Sequence, residues 1–398
     1  MRVPLSLTAS MAGYLTRKSL SGDKKYPLVM MLEPLHACNL TCTGCGRIRE
    51  YKSTINEMLS VEQCLAAVDD CGAPIVSICG GEPLIYPEIG RLAGEILARK
   101  KHIYLCTNGM FIRKRLRDFK PTSRLFFNVH LDGLEKTHDI CVERDGVFRE
   151  AIEGIKAAKA AGFLVTSNTT IYKETDIEEI AELLAYLQTL GVDGHMISPA
   201  YSYAAVMTKE IFMSRDEIRE KFRRASQLLE RFNIVTSPIY MEFLRGERDL
   251  MCTAWGNPTY NPRGWKGPCY LMTDAHHETF KQLIDNTPWE KYGYGRDPRC
   301  QDCMVHAGYE ASAVIGGNKK LSDTWKMFTW TVSGRMGGLK GGKPAKTANG
   351  NGNGNGRPNG NGHSAKSSGG PAVSAEKGHA PSHAAAAAQE SNEVFRIL

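Results

Sequence analysis

Cys38, Cys42 and Cys45 fall in one short window, Cys38-Asn39-Leu40-Thr41-Cys42-Thr43-Gly44-Cys45, directly after the apolar run 27–32. Three thiolates at this C-x3-C-x2-C spacing can hold three irons of a 4Fe–4S cube and leave the fourth iron without a protein ligand. An open coordination position on a metal is where a small molecule is bound and transformed. A structural zinc site is the main rival, but such sites close with four ligands, and the nearest fourth candidate is His36. Disulfides fit poorly, because the close cysteines are odd in number and the sequence shows no secretory signal.

A second set of residues gains meaning from the elements that must position it. Short apolar runs at 28–32, 75–79, 103–107, 126–131, 165–170 and 194–198 alternate with amphipathic stretches near 61–70, 87–100, 148–161 and 177–190, with a weaker one near 113–118. This alternation predicts an α/β fold with a parallel sheet and right-handed crossovers over residues 26–213. Six such units suit an open, partial (β/α)6 barrel, whose chemistry belongs at the C-terminal ends of the strands. The cysteine loop, Gly80-Gly81-Glu82-Pro83, Thr107-Asn108-Gly109 and Asp132-Gly133 each follow a predicted strand directly. Glycines let backbone approach a ligand closely, and the Glu82 carboxylate can accept hydrogen bonds from an ammonium group. Asn108, Asp132 and Asn168 carry polar side chains near successive strand ends, where turn capping is the competing role. Cys106 lies one residue before its turn, and alternation puts Tyr104 and Cys106 on one strand face, Ile103 and Leu105 on the other. Its rival is Cys79, just before the glycine pair, and both also suit plain burial as small hydrophobes.

Four further cysteines, Cys252, Cys269, Cys300 and Cys303, fall in a region expected to be loop-rich over 214–317, opened by a charged helix over 215–232. The C-x2-C pair is half of a metal site, and four ligands would close it around zinc or a second iron–sulfur cluster; spacing alone does not connect the pair to Cys252. Twelve cysteines without a secretory signal suit a reducing cytoplasm. No run approaches the roughly 20 apolar residues that span a bilayer. The N-terminal segment 1–25 places Leu7, Met11, Tyr14 and Leu15 at helical spacing, to pack on its own domain or to touch a membrane surface. Most of the formal +7 charge lies in residues 334–398, where Arg335, Lys340, Lys343, Lys346, Arg357, Lys366, Lys377 and Arg396 outnumber Glu376, Glu390 and Glu393. Charge dispersed in a low-complexity tail, expected to be disordered, argues against nucleic-acid binding.

The cysteine spacing is the signature of radical S-adenosylmethionine (SAM) enzymes, and the chain resembles them. Longer stretches resemble the hopanoid-biosynthesis radical SAM family: Tyr26-Pro27-Leu28-Val29-Met30-Met31-Leu32-Glu33-Pro34-Leu35, Leu59-Ser60-Val61-Glu62-Gln63-Cys64, Tyr104-Leu105-Cys106-Thr107-Asn108, Val129-His130-Leu131-Asp132-Gly133, Cys252-Thr253-Ala254-Trp255-Gly256-Asn257 and Cys300-Gln301-Asp302-Cys303-Met304-Val305-His306. The resemblance covers roughly residues 1–317. It implies a 4Fe–4S cluster on Cys38, Cys42 and Cys45, the amino group of SAM on Gly80, Gly81 and Glu82, and ribose contacts from Asn108 and Asp132. An external electron donor, such as a flavodoxin or ferredoxin, would drive cleavage of SAM to methionine and a 5′-deoxyadenosyl radical. The implied reaction adds that radical to the terminal alkene of diploptene, a C30 triterpene, and Cys106 is the candidate donor of the closing hydrogen atom. A bilayer-dwelling substrate would give the N-terminal helix a reason to touch the inner membrane face. Two positions depart from the resemblance: His130 stands where much of the superfamily carries serine, and Ala307 where some relatives carry another cysteine. A peptide-modifying radical SAM enzyme and a non-catalytic iron–sulfur or zinc scaffold are the alternatives.

Overall fold

The structure, a computed structural model, describes residues 4–315 and 321–333; the expected tail over 334–398 lies outside them. Six strands form in the predicted order: β1 (Val29–Leu32), β2 (Ile75–Ile78), β3 (His102–Thr107), β4 (Leu125–His130), β5 (Leu164–Ile171) and β6 (Gly194–Pro199). Each pairs in parallel with the next in sequence. One edge of the sheet is β6; beyond β1 the other edge is extended by β7 (Thr259–Asn261), β8 (Gly264–Cys269) and β9 (Met272–His277). β7 runs parallel to β1, and β8 and β9 follow antiparallel. The region expected to be loop-rich is therefore built onto the barrel edge. β7 is only three residues long and β8 carries Gly264, Gly267 and Pro268, which hides the alternation that marks a strand.

Helices cover one face of the parallel sheet. Ile78, Ile103, Leu105, Phe127 and Val129 point to that face and pack with Val61, Leu92 and Ala151 in one core. Alternation then sends Ser77, Tyr104, Cys106, Phe126, Asn128 and Thr166 to the opposite, inner face. A one-residue slip would drive these polar groups into the helix layer, so the hydrophobic pattern holds the register. Capping chemistry sets where the crossovers begin and end. The helix Val61–Cys71 starts at a reciprocal Ser60/Gln63 box and stops at Gly72, whose φ of 68° turns the chain back toward β2. The weak stretch near 113–118 is two short turns, Ile112–Arg115 and Leu116–Asp118, and a helix the periodicity did not mark, Glu135–Cys141, follows β4.

The N-terminal helix Leu5–Ser21 packs Met11, Tyr14 and Leu15 with Tyr26, Leu28 and Ala311. Its apolar face is committed to its own protein, which leaves the expected membrane contact without that face. No described helix is long and apolar enough to cross a membrane.

Candidate functional site

The triad loop leaves β1 and is gathered by one side chain. Arg49 donates through Nη1 to the carbonyls of Cys42 (2.8 Å) and Cys45 (2.6 Å), and through Nη2 to that of Thr41 (3.2 Å). Arg49 thus gathers the carbonyls of residues on both sides of Cys42 onto one guanidinium. Gly44 and Gly46 flank Cys45 because the rings of Tyr172 and Tyr203 lie against them; a Cβ at either position would enter the ring. Burial, with Glu82 nearby, holds the Cys38 thiol far above its usual range, and burial with the neighbouring cysteines does the same to Cys42. A metal cation reverses that preference by binding the deprotonated sulfur. Three free, partly exposed thiols on one loop are the donor set an iron–sulfur cluster uses. Among the described residues no three Cys, His, Asp or Glu side chains converge as ligands of one metal ion. A cube takes one thiolate per iron and needs a wider set.

The glycine pair lies directly on the entry to that loop. Gly81 N–H donates to the Leu35 carbonyl (3.1 Å) and Glu82 N–H to that of Ala37 (2.9 Å). Gly80 adopts φ 103°, and a Cβ there would stand 2.6 Å from the Leu35 oxygen; one on Gly81 would overlap the Ala37 carbonyl. Buried Glu82 accepts from Leu84 N–H (2.9 Å), Thr107 Oγ1 (2.7 Å) and Asn108 N–H (2.8 Å). Burial pushes its carboxyl up to about 7 in spite of these bonds. A carboxylate offers about four acceptor sites, so one remains for an incoming ammonium.

Asn108 and Asp132 lie at the strand ends as expected, and both already have protein partners. Asn108 donates through Nδ2 to Asn39 Oδ1 (2.8 Å), tying β3 to the triad loop, and its Oδ1 caps Met110 N–H. Asp132 accepts from Thr170 N–H (2.8 Å) and pairs with His130 Nε2 (2.9 Å). Burial lowers the His130 imidazole, but the charge and hydrogen bond of Asp132 outweigh it and raise its pKa. These contacts make Asn108 and Asp132 positioning groups for the loops as well as candidates for the ribose. Asn168 is the β5 register partner of His130.

Cys106 sits in a polar row that crosses the inner face. Its sulfur lies 3.3 Å from Ser77 Oγ on β2 and receives Asn128 Nδ2 of β4 at 3.5 Å; Asn128 Oδ1 in turn accepts from Thr166 Oγ1 of β5 at 2.9 Å. Burial raises its thiol, against these two hydrogen bonds, so at neutral pH Cys106 is an S–H group. It is partly exposed, whereas Cys79 is buried. Beside it Tyr104 stacks on Phe126 at 4.8 Å, an apolar wall on the same face.

Sequence reasoning missed the groups that lock the loop in place. Arg47 pairs with Glu33 at 2.5 Å, both essentially unexposed, and stacks on Tyr270 at 4.1 Å. This joins the turn after Cys45 to the end of β1 and to the β8–β9 hairpin. The one available signal was the Gly44-Cys45-Gly46 sandwich, which marks close approach by large neighbours. The four C-terminal cysteines, from separate stretches of sequence, line one small cavity.

Compared with known proteins, residues 32–187 match the Radical SAM superfamily, and residues 195–327 match a domain of unknown function, DUF3463. GTP 3′,8-cyclase 1 of Mycobacterium tuberculosis is 28% identical over 179 residues, covering 42% of this chain and 50% of the relative. GTP 3′,8-cyclase of Thermodesulfovibrio yellowstonii is 30% identical over 193 residues, covering 46% and 60%. The chain thus spans about half the length of the curated relatives it matches. These relatives carry the cyclase name, not the hopanoid activity that the sequence resemblance implies. In fold, the chain is similar to Streptococcus suis SuiB bound to precursor peptide SuiA, with a TM-score of 0.56, 15% identity and 76% of each chain covered. SuiB bound to S-adenosylmethionine gives 0.52, 17% identity and coverage of 63% and 61%. Residues 32–187 thus match a superfamily model whose cofactors are a 4Fe–4S cluster and SAM, and the triad loop offers three free sulfurs for such a cluster.

Proposed function

We propose that this protein is a radical SAM adenosyltransferase of hopanoid biosynthesis, joining the 5′-deoxyadenosyl group of SAM to the terminal alkene carbon of diploptene. When bound, the cluster and SAM supply the adenosyl radical. The observation that carries the reading is Cys106: a neutral thiol, partly exposed on the inner barrel face and hydrogen-bonded by Ser77 and Asn128. Addition to the alkene leaves a tertiary carbon radical on the substrate. The Cys106 S–H gives its hydrogen atom to that carbon, forming C–H and leaving a thiyl radical. One electron from an external donor and one proton then restore the thiol. Tyr104 and Phe126 offer the apolar wall that a triterpene body needs, and a water-poor site protects the radicals from side reactions.

Anaerobic incubation with SAM, a reductant and diploptene, followed by mass spectrometry, tests this. The expected product is the adenosyl adduct. Turnover of GTP and none of diploptene would move the assignment to the cyclase reaction of the curated relatives.

A further inference from the structure

We propose that Cys252, Cys269, Cys300 and Cys303 bind a second iron–sulfur cluster, closed by four protein thiolates. The four come from three places in the chain: the turn before β7, the end of β8, and the short turn Pro298–Cys300 with the residues after it. All line the same cavity, whose other walls are tyrosines, small or apolar residues and one amide, Asn257, and none of the described residues lining it carries a carboxylate.

The packing around the sulfurs points to a ligand. All four are free thiols, Cys300 buried and the other three half-buried, and none is tied up in a disulfide. Gly308 keeps the space open, since a Cβ there would stand 2.5 Å from the Cys252 sulfur. Four thiolates also need positive charge nearby. Arg215 lies alongside, its Nη2 donating to the Cys303 carbonyl at 3.1 Å, and buried Lys266 precedes Cys269 on β8.

Iron–sulfur fits better than zinc. A zinc ion draws its sulfurs onto one shell of about 2.3 Å, whereas a cube spreads four thiolates over four irons, which suits four cysteines set around the walls of one cavity. Ala307, where the sequence resemblance anticipates a further cysteine in some relatives, takes no ligand from the set, because four are already present. With four protein ligands no iron is left open, so this site does not bind SAM or substrate as the triad site does. It is packed against the triad loop: Tyr201 lines the cavity, meets Tyr203 edge-on at 5.2 Å, and the Tyr203 ring covers Gly46 beside Cys45.

The test is metal content, which is independent of the substrate assigned above. The full chain is reconstituted anaerobically, and iron, acid-labile sulfide and zinc are measured with Mössbauer spectra. Two 4Fe–4S clusters give about eight irons per chain, and the Cys38→Ala/Cys42→Ala/Cys45→Ala variant is expected to retain about four. Cys300→Ala/Cys303→Ala is expected to fall to about four, with the triad cluster's spectrum left. The triple variant keeps all four C-terminal thiols, so it reads the site even where the double variant misfolds. No iron in a triple variant that retains wild-type circular dichroism overturns the proposal, as does zinc in place of iron.

Discussion

At the scale of single residues, two side chains separate chemistry from architecture. Cys106 is placed to finish a reaction that the triad loop begins. Cys106→Ala removes the S–H and leaves Ser77 and Asn128 to bond each other or water. SAM cleavage, read as methionine release, is expected to persist, while the saturated adduct falls at least about tenfold, or ~1.4 kcal/mol in barrier. An unchanged adduct yield and stereochemistry in this variant would exclude Cys106 as the donor. Arg47 plays no part in that chemistry. It holds Glu33, itself 0% exposed, and breaking the pair strands a buried carboxylate. Arg47→Met is expected to lower unfolding free energy by about 3–5 kcal/mol. Adding Glu33→Gln removes the stranded charge and should recover much of that loss in denaturant melts; equal losses in both variants would show the ion pair is not the cause.

At the scale of elements, the glycine turn shows how a motif can be legible while its reason is not. Spacing after a predicted strand marked Gly80-Gly81-Glu82 as a place where backbone meets ligand. The structure shows backbone meeting backbone, with Gly81 seated on the Ala37 carbonyl at the start of the triad loop. Gly81→Ala is expected to destabilise by about 1–3 kcal/mol and to lower iron content, because the turn and the cysteine loop cannot both stay in place. Gly94→Ala is the control. It lies in the helix Ile89–Ala98 with nothing within 4 Å of a new Cβ, so it should stabilise by about 0.5–1 kcal/mol. Melting temperatures that move the same way in both would refute the close-approach argument. The parallel strands were legible because each is a clean apolar run between helices with 3.6-residue periodicity. β7 to β9 were not: β7 has only three residues, β8 is broken by Gly264, Gly267 and Pro268, and β9, Met272–His277, is polar along most of its length. The polar row of Ser77, Cys106, Asn128 and Thr166 was also hidden. Its members are scattered over four strands, and only the register brings them together.

At the scale of the whole molecule, buried ionisable groups decide how the fold answers to pH, and they pull in opposite directions. Glu82 and Glu310 are buried carboxyls pushed up to about 7. Between about 4.5 and 7 the folded state keeps protons that the unfolded chain has released, so these two groups make stability fall as pH rises. His138, His195 and His306 do the reverse. Burial lowers each to about 4, whereas an unfolded histidine titrates near 6.5. Between those values the unfolded chain binds more protons, and stability is lost as pH falls. His102 and His276 are likewise lowered to about 4, burial being the main cause in each. The histidines outnumber the carboxyls, and their effect spans the window from 6.5 downward. The melting temperature is therefore expected to be lower at pH 5 than at pH 7. His195 offers the cleanest single test, because its ring is fully enclosed and its Nδ1 meets only Ser167 Oγ at 2.8 Å. His195→Gln keeps a polar group there without a charge to gain, so it should narrow the difference between pH 5 and pH 7. A difference as wide as in the wild-type chain would show that its protonation does not drive the acid response.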